Sequence, residues 1–300
     1  MGEFPSRVRE ALEEGVSSSG RRVRAALATA ARAFAPVFPT PRLDAELLMA
    51  HALGVSRDDV LLRHLDDPEP SGFPSLIERR LAHEPVAYIT GTRAFWTIEL
   101  AVGPGVLIPR ADSETLIEAA VARFAGTSGP ASVLDLGTGS GALLLAALDQ
   151  WPQASGLGID ASDAALAIAE ANAARLGMAA RARFVRGGWA GDGGAHDLIL
   201  CNPPYVAAGE PLPDEVARWE PASALFAGKD GFDDYRAIAP LLRRQLAPGG
   251  VACIEIGATQ AGSAGALFAS QGFMVEVRRD LAGLDRCLVL TLKSGGVLPI

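Results

Sequence analysis

Two stretches of the 300-residue chain carry groups whose type and spacing could do chemistry. Asn202-Pro203-Pro204-Tyr205 directly follows the apolar run Asp197-Leu198-Ile199-Leu200-Cys201. Each proline fixes φ and lacks an N–H, so the carbonyls of Asn202 and Pro203 stay free to accept from a ligand. With the Asn202 side-chain oxygen they make a stiff acceptor set for a planar –NH2 group. Asn-Pro is also ordinary turn chemistry, and alone the tetrapeptide fits a plain strand-ending turn as well. The second stretch is Asp135-Leu136-Gly137-Thr138-Gly139-Ser140-Gly141, where an apolar run gives way to a glycine-rich turn and a helix. Its glycines permit a tight turn and close approach of a ligand to the helix N-terminus. About twenty residues on, Asp160 ends the next apolar run, where a carboxylate can hold both hydroxyls of a ribose.

These groups need a frame. Hydrophobic residues at 49% and charged residues at 21% suit an ordinary globular chain. A net charge of −8 argues against a broad nucleic-acid-binding surface. Cys201, Cys253 and Cys287 lie in strand-like runs without CxxC spacing, which favours reduced core thiols. His51, His64, His83 and His196 share no ligand spacing, so no metal is expected. No apolar stretch has the roughly 18 residues of a membrane span. Residues 1–20 hold Glu3, Glu10, Glu13 and Glu14, unlike a transit peptide, and read as a flexible tail on a cytoplasmic protein.

Residues 21–84 read as a small helical bundle suited to recognising a partner. Val23, Leu27, Ala30 and Phe34 have helical spacing, a second helix opens at Leu43 and ends near Gly54, Ser56 caps a third, and residues 74–83 form a fourth. Residues 85–108 read as a linker with a β-hairpin, its strand at 95–102 turning through Gly103-Pro104-Gly105. Residues 109–300 open with a helix entered at Ser113-Glu114 and then alternate strands and helices. Strands are expected at 132–136, 155–159, 182–185, 197–201 and 250–256, the last after a helix at 238–246, with a closing pair at 273–278 and 286–292. This pattern implies an α/β fold, a doubly wound, mostly parallel, seven-stranded Rossmann-like sheet with an antiparallel edge strand.

Gly137, Gly139 and Ala142 also satisfy the loose nicotinamide-dinucleotide fingerprint, so the glycines leave a dinucleotide and S-adenosylmethionine level. The combination separates them. A glycine turn after the first strand, an acid ending the second and Asn-Pro-Pro-Tyr ending the fourth is the layout of an amino-methyltransferase. Here the chain resembles the release-factor glutamine methyltransferases, the PrmC/HemK family. The likeness spans residues 22–292. It includes Pro41-Arg42-Leu43-Asp44-Ala45-Glu46, Pro85-Val86-Ala87-Tyr88-Ile89-Thr90-Gly91, Phe95-Trp96, Leu107-Ile108-Pro109-Arg110, Glu220-Pro221, Gly228-Lys229-Asp230-Gly231, Pro248-Gly249-Gly250 and Glu255-Ile256-Gly257. Ala111 departs from it, standing where the family usually has proline.

The resemblance implies methyl transfer from S-adenosylmethionine to N5 of the glutamine in the Gly-Gly-Gln loop of peptide chain release factors, by a monomer needing no metal, DNA or membrane. Gly137, Thr138, Gly139, Ser140, Gly141 and Asp160 would contact the donor, and Trp189 would pack near its adenine. Asn202 would lie between donor and substrate, and Asn202, Pro203, Pro204 and Tyr205 would bind the glutamine. Asn202 and Pro203 would act in catalysis, Phe95 could help sandwich the glutamine, and Glu114 is left unassigned. The alternative acceptors are a ribosomal-protein glutamine and an adenine amino group.

Overall fold

A computed structural model describes residues 20–293, which form two compact units; residues 1–19 of the expected tail lie outside the described residues. The first unit runs through Gly91 and includes Asp214–Trp219; the second is Thr92–Pro213 with the described residues from Glu220 onward.

In the first unit, α1 (Val23–Phe34) buries Val23, Ala26, Leu27, Ala30 and Phe34, one stripe at helical spacing. Pro41 opens α2 (Pro41–Leu53), and Gly54 ends it in the left-handed region at φ 68°. The Ser56 side chain accepts from the Asp59 N–H and caps α3 (Arg57–Arg63). Then come α4 (Phe73–Leu81) and α5 (Val86–Thr90), a single turn within the stretch expected to be linker. Buried Arg80 donates to Asp44 at 2.9 Å and to Glu215 at 2.6 Å, and lies 3.6 Å from the Phe38 ring centre. That ion cluster binds the distant segment 214–219 into this unit.

The second unit begins with a hairpin placed differently from expectation. Its strands are β1 (Thr92–Phe95) and β2 (Ile98–Ala101), turning at Trp96-Thr97, while Gly103-Pro104-Gly105 comes after both strands. Phe95, Ile98 and Leu100 are buried in this unit's core. After α6 (Glu114–Arg123) the elements are β3 (Ser132–Leu136), α7 (Ala142–Gln150), β4 (Ser155–Asp160), α8 (Asp163–Arg175), β5 (Ala182–Arg186) and β6 (His196–Cys201). Following α9 (Asp214–Trp219) of the first unit come α10 (Asp233–Gln245), β7 (Leu246–Glu255), α11 (Ala261–Ser270), β8 (Phe273–Arg279) and β9 (Asp285–Leu292).

The seven-stranded sheet has the order β5-β4-β3-β6-β7-β9-β8. Strands β3 to β7 pair in parallel, and β9 runs antiparallel to both β7 and β8. The reversed strand is thus β9, second from the edge, where an edge strand was expected. Strand β7 starts four residues early because the sequence Ala247-Pro248-Gly249-Gly250 forms an irregularity between the pairs His196↔Leu246 and Leu198↔Val251. Along β6, Leu198 and Leu200 enter one core cluster while Ile199 and Cys201 enter another. Both faces are therefore covered, which explains the continuous apolar run. The chain reverses direction across the sheet between β3 and β6, so the carboxyl ends of these neighbours form the crevice where such folds take ligands.

Candidate active site

The turn after β3 is held by its own backbone and by two acids. Gly137 and Thr138 donate their N–H groups to the Ile159 carbonyl at 2.8 and 2.9 Å. Gly137 has φ 73°, and a Cβ there would lie 3.3 Å from the Trp189 ring, so glycine serves both the left-handed backbone and the close approach of the indole. Asp135, buried in β3, accepts from Thr138 Oγ1 at 2.7 Å and from the Leu144 N–H at 3.2 Å through Oδ2. Its Oδ1 is buried without a hydrogen-bond partner. Burial pushes its pKa up to about 7, against the pull of those two donors. Asp160 accepts from the Gly139 N–H through Oδ2 and from the Ser162 N–H through Oδ1, each at 2.9 Å. A carboxylate offers about four lone-pair sites, so these bonds leave capacity for a ligand's hydroxyls.

The turn after β6 is anchored on three sides. Asn202 Nδ2 donates to Ser113 Oγ at 3.2 Å. The Tyr205 hydroxyl donates to Glu255 Oε1 at 3.1 Å, and the Tyr205 carbonyl accepts from Gln260 Nε2 at 3.0 Å. Glu220 accepts from the Ile108 N–H at 3.0 Å and pairs with Arg110, which joins two separate sequence motifs. Trp189 donates its indole N–H to Asp234 Oδ1 at 3.0 Å.

One cavity of about 680 Å3, a size usual for small-molecule sites, collects most of the expected residues. Gly137, Thr138, Gly139, Ser140, Asp160, Trp189, Asn202 and Pro204 line it, with Phe95 and Ser113. Gly141, Pro203 and Tyr205 do not line it. Gly141 instead starts α7 at φ 83°, Pro203 is buried, and Tyr205 packs on the core beside Glu255. Glu114 accepts from the Trp96 N–H at 2.9 Å, which supports the hairpin turn.

Sequence reasoning missed four supporting residues. Ser113 was read as a helix entry, yet its side chain caps nothing and serves Asn202. Glu255 and Gln260 hold the turn after β6 from 50 and 55 residues away. Asn172 is fully buried in α8; its Oδ1 accepts from the Ala101 N–H at 2.7 Å, and its Nδ2 donates to the carbonyls of Ala101 at 3.0 Å and Ser140 at 2.9 Å. It thereby ties β2 to the glycine turn. An asparagine among the alanines of an apolar helix was the available signal.

The chain is similar to known proteins over most of its length. Residues 25–91 match the PrmC N-terminal domain, and residues 113–218 match the methyltransferase small domain. A release factor glutamine methyltransferase from Rhodospirillum rubrum is 44% identical over 266 residues, covering 86% of this chain and 81% of that protein. One from Caulobacter vibrioides is 40% identical over 263 residues, covering 85% and 90%. The solved protein-(glutamine-N5) methyltransferase (release factor-specific) from Alicyclobacillus acidocaldarius is 30% identical, covering 64% of this chain and 98% of that one, with a TM-score of 0.38.

Proposed function

Because the chain belongs to the release factor glutamine methyltransferase family, we propose that it transfers a methyl group from S-adenosylmethionine to N5 of the glutamine in the Gly-Gly-Gln loop of peptide chain release factors. The observation that carries this reading is the shared cavity. The glycine turn after β3, Asp160 at the end of β4 and Asn202 after β6 open into one space.

The residues present fit the donor. Asp160 has acceptor capacity beyond its two backbone bonds for ribose hydroxyls. Gly139, at φ 55° with no atom within 4 Å of a built Cβ, leaves backbone exposed to a ligand. The Trp189 ring supplies an apolar face for an adenine. When bound, the donor offers an electrophilic methyl on a sulfonium.

A carboxamide nitrogen is a weak nucleophile because its lone pair is delocalised into the carbonyl. Catalysis therefore rests on alignment and on acceptors that favour the charge developing at nitrogen. Asn202 Oδ1, which faces the cavity, accepts an N–H of the substrate amide, and buried Pro203 stiffens the turn that carries it. Pro204 and Phe95 supply apolar wall on either side of the amide. Tyr205 contributes by fixing the turn through Glu255 and Gln260. The helical unit of residues 21–84 recognises the release factor, consistent with the PrmC N-terminal domain match. No described helix is long and apolar enough to cross a membrane.

The test is mass spectrometry of unmodified release factor incubated with the protein and S-adenosylmethionine. One added methyl at the Gly-Gly-Gln glutamine is expected, with turnover falling steeply in Asn202→Ala while release-factor binding changes little. An unmodified release factor in the presence of demonstrated donor binding would overturn the proposal, as would near-normal turnover by Asn202→Ala.

A further inference from the structure

The two ends of a carboxamide are nearly isosteric, but they differ in what they offer a substrate. With Oδ1 toward the cavity, Asn202 accepts from an –NH2 group. With Nδ2 toward the cavity, donor would face donor. The outcome depends on what the other end of the carboxamide meets, and that is Ser113 Oγ, 3.2 Å from Nδ2. Ser113 is itself buried, at the start of α6.

A hydroxyl has one proton to give. Ser113 accepts cleanly from Asn202 when its own proton points elsewhere. The Glu255 carboxylate, at the end of β7, is near enough that the Ser113 hydroxyl lowers its pKa. Glu255 is 1% exposed. Its Oε1 takes the Tyr205 hydroxyl at 3.1 Å, while its Oε2 is buried without a hydrogen-bond partner and has acceptor capacity to spare. One acid thus stands behind both ends of the Asn202–Tyr205 turn. The Glu255-Ile256-Gly257 motif stands out in the sequence, and the reaction as derived above gives its acid no direct part.

Building on the function proposed above, we infer that Ser113 and Glu255 are positioning residues that set the flip of the Asn202 carboxamide. Ionised Glu255 takes the Ser113 proton, Ser113 accepts from Nδ2, and Oδ1 is left facing the substrate. Neither residue touches the reacting atoms in this scheme; each acts through Asn202.

Protonation of Glu255 removes the direction from this chain. A neutral carboxylic acid can donate to Ser113, whose proton is then free to turn toward Asn202 and admit the other flip. Burial raises the Glu255 pKa to about 7, while Ser113, Tyr205 and Arg286 lower it and Asp112 raises it. Arg286 itself pairs with Asp112 at 3.3 Å and with Asp280 at 3.2 Å. The neighbouring Tyr205, Tyr235, Cys201 and Cys287 are all pushed up by burial and stay neutral through this range. Asp135 also sits near 7, so the contribution of Glu255 is read as a difference between wild type and a Glu255 variant.

The experiment reads the flip directly. In 15N-labelled wild-type protein at about pH 8, nuclear Overhauser contacts between the Asn202 Nδ2 protons and the Ser113 side chain are expected. They should weaken as pH falls through about 7. Glu255→Gln, whose amide can donate to Ser113, is expected to lose them at either pH. In turnover, Glu255→Gln should lower kcat by about tenfold or more and lose the acidic limb of its pH profile, with release-factor KM and donor affinity within about twofold. Ser113→Ala removes the acceptor with little change of volume and should give the same split.

Unchanged Asn202 contacts in Glu255→Gln, or wild-type kcat and pH profile in either variant, overturn the inference. A wild type that shows the pH-dependent contacts but leaves release factor unmethylated keeps the flip and sinks the substrate assignment instead.

Discussion

Replacing Asp135 with asparagine is expected to stabilise the protein at about pH 8 and to lose most of that advantage at about pH 5. Asp135 is 1% exposed, and its pKa is raised from 3.8 to about 7, chiefly by burial. The folded protein therefore holds this proton more tightly than the unfolded chain does. Stability falls as pH rises through the window from 3.8 to about 7, and the full cost is present above it. A shift of about three units corresponds to about 4 kcal/mol at about pH 8, and the same linkage leaves under about 2 kcal/mol at about pH 5. Asparagine carries no such charge. Its oxygen can keep the Thr138 and Leu144 bonds, but its –NH2 would occupy the place of Oδ1, which has no partner, at a cost of about 1–3 kcal/mol. The net gain is then about 1–3 kcal/mol at about pH 8 and shrinks by about 2–3 kcal/mol toward about pH 5. Urea denaturation followed by circular dichroism at both pH values measures it. Thermal midpoints should show the same trend, at about 2–4 °C per kcal/mol for a unit of this size. A free-energy difference between variant and wild type that stays constant with pH would refute the reasoning, whatever its sign.

Two further outcomes follow from the hydrogen bonds around the glycine turn. Asp160→Ala should weaken donor binding by about 10- to 100-fold, from the ~1.5–3 kcal/mol of a charged hydrogen bond. Because Asp160 also holds the Gly139 and Ser162 N–H groups, part of that loss is loss of turn order; unchanged affinity by calorimetry would refute the role. Asn172→Ala should destabilise by about 3–5 kcal/mol, since it strands the Ala101 N–H and the carbonyls of Ala101 and Ser140 in a buried setting. An unfolding free energy within about 1 kcal/mol of wild type would refute this, showing that water or local shifts replace those bonds.

The sheet was legible in the sequence because its signals are local. The unbroken run Leu198 to Cys201 belongs to a strand covered on both faces, and the glycines after Leu136 mark backbone that needs positive φ. The hairpin was misplaced for a local reason too. Gly103-Pro104-Gly105 is the stronger turn signal, whereas the real turn puts Trp96, a bulky residue, at φ 54°. What supports it there is the Glu114 carboxylate accepting the Trp96 N–H, 18 residues away. The early start of β7 was hidden in the same way, because Pro248-Gly249-Gly250 reads as a break and the strand passes through it.

The supporting residues of the site were illegible for a different reason. Ser113, Asn172, Glu220 and Glu255 act across separations of 89, 71, 110 and 50 residues, and neither propensity nor periodicity reports a partner at that distance. Each is buried and polar, and burial of such a group is costly unless it is bonded. A short sequence motif thus names only one end of an interaction. Leu107-Ile108-Pro109-Arg110 and Glu220-Pro221 look unrelated until Glu220 is found holding both the Ile108 N–H and Arg110. The same holds for Asn202-Pro203-Pro204-Tyr205 and Glu255-Ile256-Gly257. The first brings Asn202 and Pro204 to the cavity, and only the second, through the Tyr205 hydroxyl, shows what anchors the turn that carries them.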